Sequence, residues 1–523
     1  MCDVLLHRDM EVTLRDGTRI YVDIYRPVRE ARVPALLGWG PFGKGTHSFL
    51  SLDALPERFG VPLSATSGYE AWEAPDPAYW CARGYAVVQP DPRGVGLSEG
   101  LIQVWNTQEA RDEYDLIEWL ASQDWCSGKI GLTGCSWLAA SQWLVAAQRP
   151  PSLTAIAPWQ GLSDYYRDQM ARGGIPAPGF MEALLFAING DGQVEDCSAM
   201  LEEHPLFDKY WADKVADFDA VDIPAYIVTP YSDRLHTEGT FRAYRRIRSA
   251  EKWLRVHNSM EWPDYYKPEN VEDLRRFFDC FLKGVDNGWR DTAPVRLTIL
   301  DNGHTDVCCL PEQSFPPQGM IDLDLFLDAQ SGTLCQAPPD LDAHIEYSHV
   351  QDGSASFTHV FDQDVDVIGY PVLTLWVHAE GQDDLDVFVQ LEKLDADGAQ
   401  LFHRYIAQDV HASRVPFYAG PDGRVRASRR AVQEPGDGGP PVQLCTRETP
   451  LRPGEIVRLD VPLSPIGMRW HRGEQLRLVV GGRDTEPQLL STIVPPRDPG
   501  DGRHVIHTGG EHPSSLSMSY RVV

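Results

Sequence analysis

The sequence predicts an α/β domain on a mostly parallel sheet, interrupted by a helical insertion and followed by an all-β domain. Three observations predict it. Short apolar runs alternate with helix-patterned stretches through the first half. The alternation stops over 163–219, where helical patterns continue without a strand. From about Pro294 the texture turns to alternating strands separated by Gly, Pro and Asp. Strand-helix alternation implies a parallel sheet covered on both faces, and short alternating strands imply a sandwich or jelly roll. The expected division is 1–162 and 220–292 for the α/β domain, 163–219 for a cap over the sheet edge, and 293–523 for the β-rich domain.

The elements follow in order. "MEVTLRDGTRIYVDIYRP" reads as a β-hairpin around Asp16-Gly17, a strong turn signal. The buried-type runs after it are "VPALLGW", "YAVVQPD", "KIGLTG", "LTAIAPW", "PAYIVTP" and "KWLRVH". Between them "QEARDEYDLIEWLASQ" keeps Tyr114, Ile117 and Leu120 at helical spacing. In the last part "VRLTILDNG", "IDLDLFLD", "PVLTLWVHA", "DLDVFVQLEKLD", "IVRLDVPLS" and "EQLRLVVGG" alternate as strands. There is no internal repeat, and "EPGDGGPP" at 434–441 reads as a surface loop.

Composition narrows the partners. A chain of 523 residues exceeds one core, and 42% hydrophobic with 24% charged residues is ordinary for a globular protein. A formal net charge of −29 repels phosphate backbones and anionic lipids, so neither nucleic acid nor membrane is an expected partner. The opening "MCDVLLHRDMEV" has no basic region ahead of its short apolar run, and no stretch has the length of a membrane span. Ten cysteines without a regular framework read as free thiols, which points to the cytoplasm. "GHTDVCC" gathers His304, Asp306, Cys308 and Cys309, but its spacing matches no structural zinc pattern, so no metal is expected.

The chemistry starts at "LTGCSWLAASQW". Ser136 falls where an apolar run meets a good helix pattern, at the C-terminal end of a strand, where doubly wound sheets collect reactive groups. A sharp turn there exposes the hydroxyl, and the following N–H, at a helix N-terminus, can hold a tetrahedral oxyanion. The usual elbow has Gly two residues after the serine; here Leu138 stands there.

"GCSWLA" resembles the nucleophile turn, Gly-x-Ser-Tyr-x-Gly, of the cocaine-esterase and X-Pro-dipeptidyl-peptidase group of α/β-hydrolases. The resemblance extends through "RDGTRIYVDIYRP", "DPRGVGLSEG", "AIAPWQGLSDYYRD" and "VRLDVPLSPIGMRWHRGEQLRLVV". It implies an α/β-hydrolase doubly wound sheet with a helical cap and a C-terminal jelly-roll domain. The implied activity is that of a serine hydrolase, cleaving a small-molecule carboxylic ester or amide through an acyl-enzyme with no cofactor. The same resemblance admits a homodimer. An acyltransferase or lyase on this scaffold, or a silent binding protein, are the rival readings.

Carried over residue by residue, the family pattern is broken in three places. The family pairs the N–H after the serine, here Trp137, with a tyrosine hydroxyl in a loop like Pro-Tyr-x-Lys; this chain has "GPFGKG", with Phe42 in that place. Losing one such donor costs about 3 kcal/mol of transition-state stabilisation. Asp233 in "PYSDRLHTEG" fits the acid, yet Glu261 stands where the base histidine is expected. A carboxylate is not expected to do a histidine's job with serine, because its basicity is too low and it has no second nitrogen for an acid to orient. Two arrangements remain open: Ser136-His236-Glu261, with the two loops exchanged, and Ser136-His257-Asp233; a chain without a working triad is the third. Trp39, Trp159 and Tyr165 are expected to line an aromatic acyl pocket. Asp91 and Arg93 are expected to stabilise their own turn.

Overall fold

The structure is a computed structural model that describes residues 4–28, 31–45, 50–188, 193–348, 353–404, 417–484 and 502–523. Each apolar run of the first half becomes a strand. The hairpin is β1 (Val4–Thr13) and β2 (Arg19–Pro27), followed by β3 (Val33–Leu37), β4 (Ala86–Asp91), β5 (Cys126–Cys135), β6 (Leu153–Trp159), β7 (Ala225–Pro230) and β8 (Lys252–His257). Two more strands, β9 (Val295–Ile299) and β10 (Val307–Glu312), complete one sheet in the order β1-β2-β4-β3-β5-β6-β7-β8-β9-β10. The pairs from β4 through β9 are parallel, and the hairpin and β10 close the two edges antiparallel. Helices cover both faces, so β3, β4 and β7 are buried at every position.

The helix Thr107–Ala121 starts where Asn106 accepts a hydrogen bond from the Glu109 N–H, a side-chain N-cap. Between β6 and β7 lie the helical segments Tyr165–Met170, Gly179–Ile188, Cys197–Glu203 and Lys209–Ala212. The strandless reading of this insertion needs one correction: Gln193–Val194 pairs in parallel with Leu101–Ile102 and ties the insertion to the domain beneath.

Among its described residues the β-rich domain has one network of fourteen strands and two further two-stranded pairs. Val372–Glu380 alternates buried and half-exposed side chains along its length, as a strand with one face on a core does. The change of texture near Pro294 does not coincide with the change of sheet, since β9 and β10 extend the first sheet. Past β9, the Leu300 N–H donates to the Gly467 carbonyl (2.8 Å) and the Leu300 carbonyl accepts from Arg469 (2.9 Å), stitching the two sheets together. No helix among the described residues is long and apolar enough to cross a membrane.

Candidate active site

Ser136 lies between β5 and the helix Trp137–Ala147 with φ 54° and ψ −115°. A residue with a Cβ pays about 1–3 kcal/mol for such a backbone, and strain of that kind gathers at functional turns. Gly134 makes the turn possible. At φ 151° a Cβ there would stand 2.6 Å from Leu138 Cβ and 3.0 Å from the Glu73 carbonyl. The departure at Leu138 is compensated on the opposite wall. A Cβ on Gly40 would meet Leu138 Cδ1 at 2.4 Å, and one on Gly38 would meet Cδ2 at 3.0 Å. The leucine occupies room left by "GWG", so the elbow survives without its second glycine.

The turn is held by backbone bonds, Ser136 N–H to the Trp159 carbonyl (3.0 Å) and Cys135 N–H to the Glu73 carbonyl (3.1 Å). The Trp137 N–H opens the helix and has no acceptor within it, which leaves it available to an oxyanion. Phe42 packs edge-on against Trp137 (6.3 Å) and Trp72 (6.5 Å). Trp72 meets Trp262 at 5.0 Å, and Trp262 meets Phe59 at 5.3 Å, which makes a continuous aromatic wall beside the elbow. Lys44 pins the Phe42 loop: its N–H donates to Asp91 (3.0 Å), and its ammonium lies 3.2 Å from Asp91 and also pairs with Asp9. Arg93 bonds Asp112, Asp16 and Thr18, which fixes the turn after β4.

Asp233 and Glu261 come together at the ends of β7 and β8. Their link is Gln160, one residue past β6. Its partners dictate the orientation of its amide: the nitrogen donates to Asp233 Oδ2 (2.7 Å) and Glu261 Oε2 (3.1 Å), and the oxygen accepts from His257 Nε2 (3.1 Å). Ser136, Asp233 and Glu261 are all half-buried, whereas both histidines are buried. Burial, with Asp233 and Glu73 close by, pushes the Glu261 carboxyl well above the usual range. Glu73 accepts from the Trp262 indole (3.0 Å); burial pushes its carboxyl up to about 8, with Asp233 adding to the push.

The histidines stand apart. His257 spends Nε2 on Gln160, its Nδ1 lies 3.4 Å from the Ser259 N–H and 3.7 Å from Asp264, and burial lowers its pKa to about 4. His236 caps the helix Thr237–Arg246 with its Nδ1 buried and unbonded. Burial lowers its pKa too, opposed by Asp233 and Asp168 rather than by Glu261. Among the described residues no hydrogen bond joins Ser136 to either imidazole, His236 to Glu261, or His257 to Asp233.

The expected acyl-pocket residues Trp39, Trp159 and Tyr165 are all buried, no more than 1% exposed. The Trp39 indole donates to Glu109 (3.2 Å), and the Trp159 indole donates to Asp264 (2.9 Å), which Arg255 also holds. Both indole N–H groups are thus engaged by buried carboxylates. Sequence reasoning missed Gln160 and Glu73. The place of Gln160 directly after a buried strand is a signal that could have found it.

Comparison with known proteins agrees with this architecture. The model of the X-Pro dipeptidyl-peptidase S15 family matches residues 16–260, and that of the X-Pro dipeptidyl-peptidase C-terminal non-catalytic domain matches 287–517. A CocE/NonD family hydrolase from Staphylococcus aureus superposes with a TM-score of 0.91 at 32% identity, over 99% of this chain and 94% of that one. The cocaine esterase of a Rhodococcus species is 34% identical over 156 residues, 30% of this chain and 24% of the esterase. A Mycobacterium bovis protein with a provisional serine-esterase name is 24% identical over 90% of both chains. With its strained serine elbow, split α/β sheet and β-rich tail, the chain belongs to the CocE/NonD and X-Pro dipeptidyl-peptidase family and is a serine hydrolase.

Proposed function

We propose that the protein hydrolyses carboxylic esters of small molecules through an acyl-enzyme on Ser136, with Glu261 as the proton acceptor and Asp233 at its side. The observation that carries this reading is the strained Ser136 turn at the end of β5, with the Asp233–Gln160–Glu261 bridge at the ends of the next strands. Two observations support Glu261 in this role. It follows β8, where the family resemblance puts the base. Burial with Asp233 and Glu73 nearby raises its basicity, which meets the first of the two objections to a carboxylate. Ser136 Oγ attacks the acyl carbon and its proton passes to the Glu261 carboxylate. The oxyanion rests on the Trp137 N–H, and Glu261 returns the proton to the leaving alkoxide. Water then attacks the acyl-serine, giving a proton to Glu261. Glu261 passes it to the departing Ser136 Oγ as the intermediate collapses to the acid, free Ser136 and the Glu261 carboxylate. Phe42 brings no hydroxyl to the oxyanion, which favours esters over the more demanding amides.

A second reading keeps His236 as the base. Its buried Nδ1 has no partner, and Asp233 is among the carboxylates that act on it. The cytoplasm suits either reading, since the nine cysteines described are all unpaired. The first experiment is labelling with a fluorophosphonate probe combined with an ester-hydrolysis screen. Wild type should label and turn over, and Ser136→Ala should do neither while keeping its melting temperature. An unlabelled wild type, or an active Ser136→Ala, would end the proposal.

A further inference from the structure

We propose that Asp301, His304 and His471, backed by Glu474, form a site for a first-row divalent transition-metal ion such as zinc, at the seam between the α/β sheet and the β-rich domain. Asp301 and His304 follow β9 in a tight turn, closed by the His304 N–H donating to the Asp301 carbonyl (2.7 Å). His471 and Glu474 come from the turn between the strands Ile466–Trp470 and Gln475–Gly481. The Leu300–Gly467 and Leu300–Arg469 bonds bring the two turns together.

Three candidate ligand atoms, one each from Asp301, His304 and His471, lie within 4.8 Å of one another. His471 Nε2 is 2.9 Å from Asp301 Oδ2, and His304 Nε2 is 3.1 Å from Glu474 Oε1. A tetrahedral ion with bonds of about 2.0–2.2 Å holds its ligand atoms roughly 3.3 Å apart. Small side-chain shifts therefore suffice. Binding replaces the protons shared between imidazoles and carboxylates, and those protons leave to solvent. His304, with half its side chain exposed, gives the ion a way in.

The groups behind the ligands are placed as supports of a metal centre are. Fully buried Lys393 bonds the outer oxygens Asp301 Oδ1 (2.8 Å) and Glu474 Oε2 (2.9 Å), which leaves Asp301 Oδ2 and Glu474 Oε1 facing the imidazoles. His471 turns Nδ1 toward Asp364 (3.5 Å), the carboxylate-histidine arrangement that fixes a ligating tautomer. Lys393 balances one of the two carboxylates, so a divalent ion is not overcharged here. Two imidazoles with a carboxylate suit zinc, cobalt or nickel rather than calcium or magnesium. An ion there would clamp the two domains. The spacing in "GHTDVCC" concealed this, because the partners of His304 come from a distant strand turn, while Cys308 and Cys309 are exposed on β10.

The test titrates the chelator-stripped full-length protein with Zn²⁺ and Co²⁺, independently of ester hydrolysis. One equivalent should bind at micromolar concentration, Co²⁺ should give an intense tetrahedral visible band, and Zn²⁺ should raise Tm by about 2–4 °C. His304→Gln and His471→Ala should each weaken binding at least tenfold. A second imidazole group, in which His378 Nδ1 lies 2.8 Å from His507 Nε2, is the internal control, and His378→Ala should bind as wild type does. Should His471→Ala fail to fold, the half-exposed His304→Gln decides alone. No stoichiometric uptake by wild type, or uptake lost in His378→Ala and kept in His304→Gln, would overturn the site.

Discussion

Asp233 and Glu261 accept hydrogen bonds from a single nitrogen, that of the Gln160 amide, at 2.7 and 3.1 Å. Burial, with Asp233 and Glu73 nearby, makes Glu261 keep its proton to higher pH than an exposed glutamate would. The family places a carboxylate after β7 and a histidine after β8. Here the second position holds a carboxylate whose basicity burial raises, with Asp233 at the first position and Glu73 adding to it. Gln160 keeps the pair together without neutralising it, because an amide N–H bonds an ionised or a neutral carboxyl equally well in geometry.

The two readings of the base separate in four variants. If Glu261 accepts the proton, Glu261→Gln should lose about 10²–10⁴ in kcat, while His236→Ala and His257→Ala stay within about tenfold of wild type. Wild-type kcat/KM should rise with pH as Glu261 gives up its proton, with a midpoint above the ordinary carboxylate range. Glu261→His should keep measurable activity and move the midpoint toward that of imidazole. A His236→Ala as inactive as Ser136→Ala, beside an active Glu261→Gln, would transfer the role to His236.

Phe42→Tyr tests the oxyanion hole. The ring already packs edge-on against Trp137 in a loop that Lys44 pins, so a para-hydroxyl adds a donor with little rearrangement. Turnover of aryl esters should rise about tenfold, a bit over 1 kcal/mol, with KM little changed. No gain in a well-folded variant would mean that the ring edge points away from the developing oxyanion.

The strands were legible because parallel strands buried on both faces leave unbroken apolar runs, and each of the six runs of the first half is a strand. Of the two edge strands only β9, in "VRLTILDNG", reads as a strand, and it reads with the β-rich domain; β10 begins inside "GHTDVCC", which carries no strand signal. The sequence of β9 would suit a strand of either sheet, and only pairing distinguishes the two. Ser136 was legible from its strand-helix junction. The fit of Leu138 was not, because Gly38 and Gly40 that make room for it lie far away in sequence. Trp39 and Trp159 drew attention as large aromatics, but pattern does not show which indole N–H serves a buried acid, as these do for Glu109 and Asp264. Gln160 and Glu73 belong to no motif; only three-dimensional proximity connects them to Asp233 and Glu261.

The complementarity of Leu138 with the glycine loop predicts a rescue. Gly40→Ala alone sets a methyl 2.4 Å from Leu138 Cδ1, which forces the Phe42 loop off the elbow. It should cost about 1–3 kcal/mol of stability and lower turnover. Gly40→Ala with Leu138→Ala removes the clash, so the double variant should be more stable than the sum of the two single changes allows. Strict additivity would mean that the two residues do not meet in solution.

Stability should fall as pH rises through the neutral range. Burial raises Glu73 to about 8 and Glu109 to about 7, against an ordinary value of 4.5, and lifts Glu113 well above it. Between the unfolded and folded values the native state binds more protons than the unfolded chain. Each such group therefore removes up to about 1.4 kcal/mol of stability per pH unit within its own window. For Glu109 that window closes near pH 7, above which both states have lost the proton and the cost is constant. Glu109→Gln isolates the effect. The new amide oxygen can still accept from the Trp39 and Trp137 indoles, which bond Glu109 Oε1 at 3.2 and 2.9 Å. The amide nitrogen meets the Trp105 N–H, which in wild type donates to Oε2 at 2.6 Å, so the variant starts less stable and the slopes, not the absolute midpoints, carry the comparison. Denaturant midpoints measured from pH 5 to 8 should decline more gently for Glu109→Gln than for wild type below pH 7, and in parallel above it. Identical slopes throughout would show that Glu109 is already ionised in the native protein.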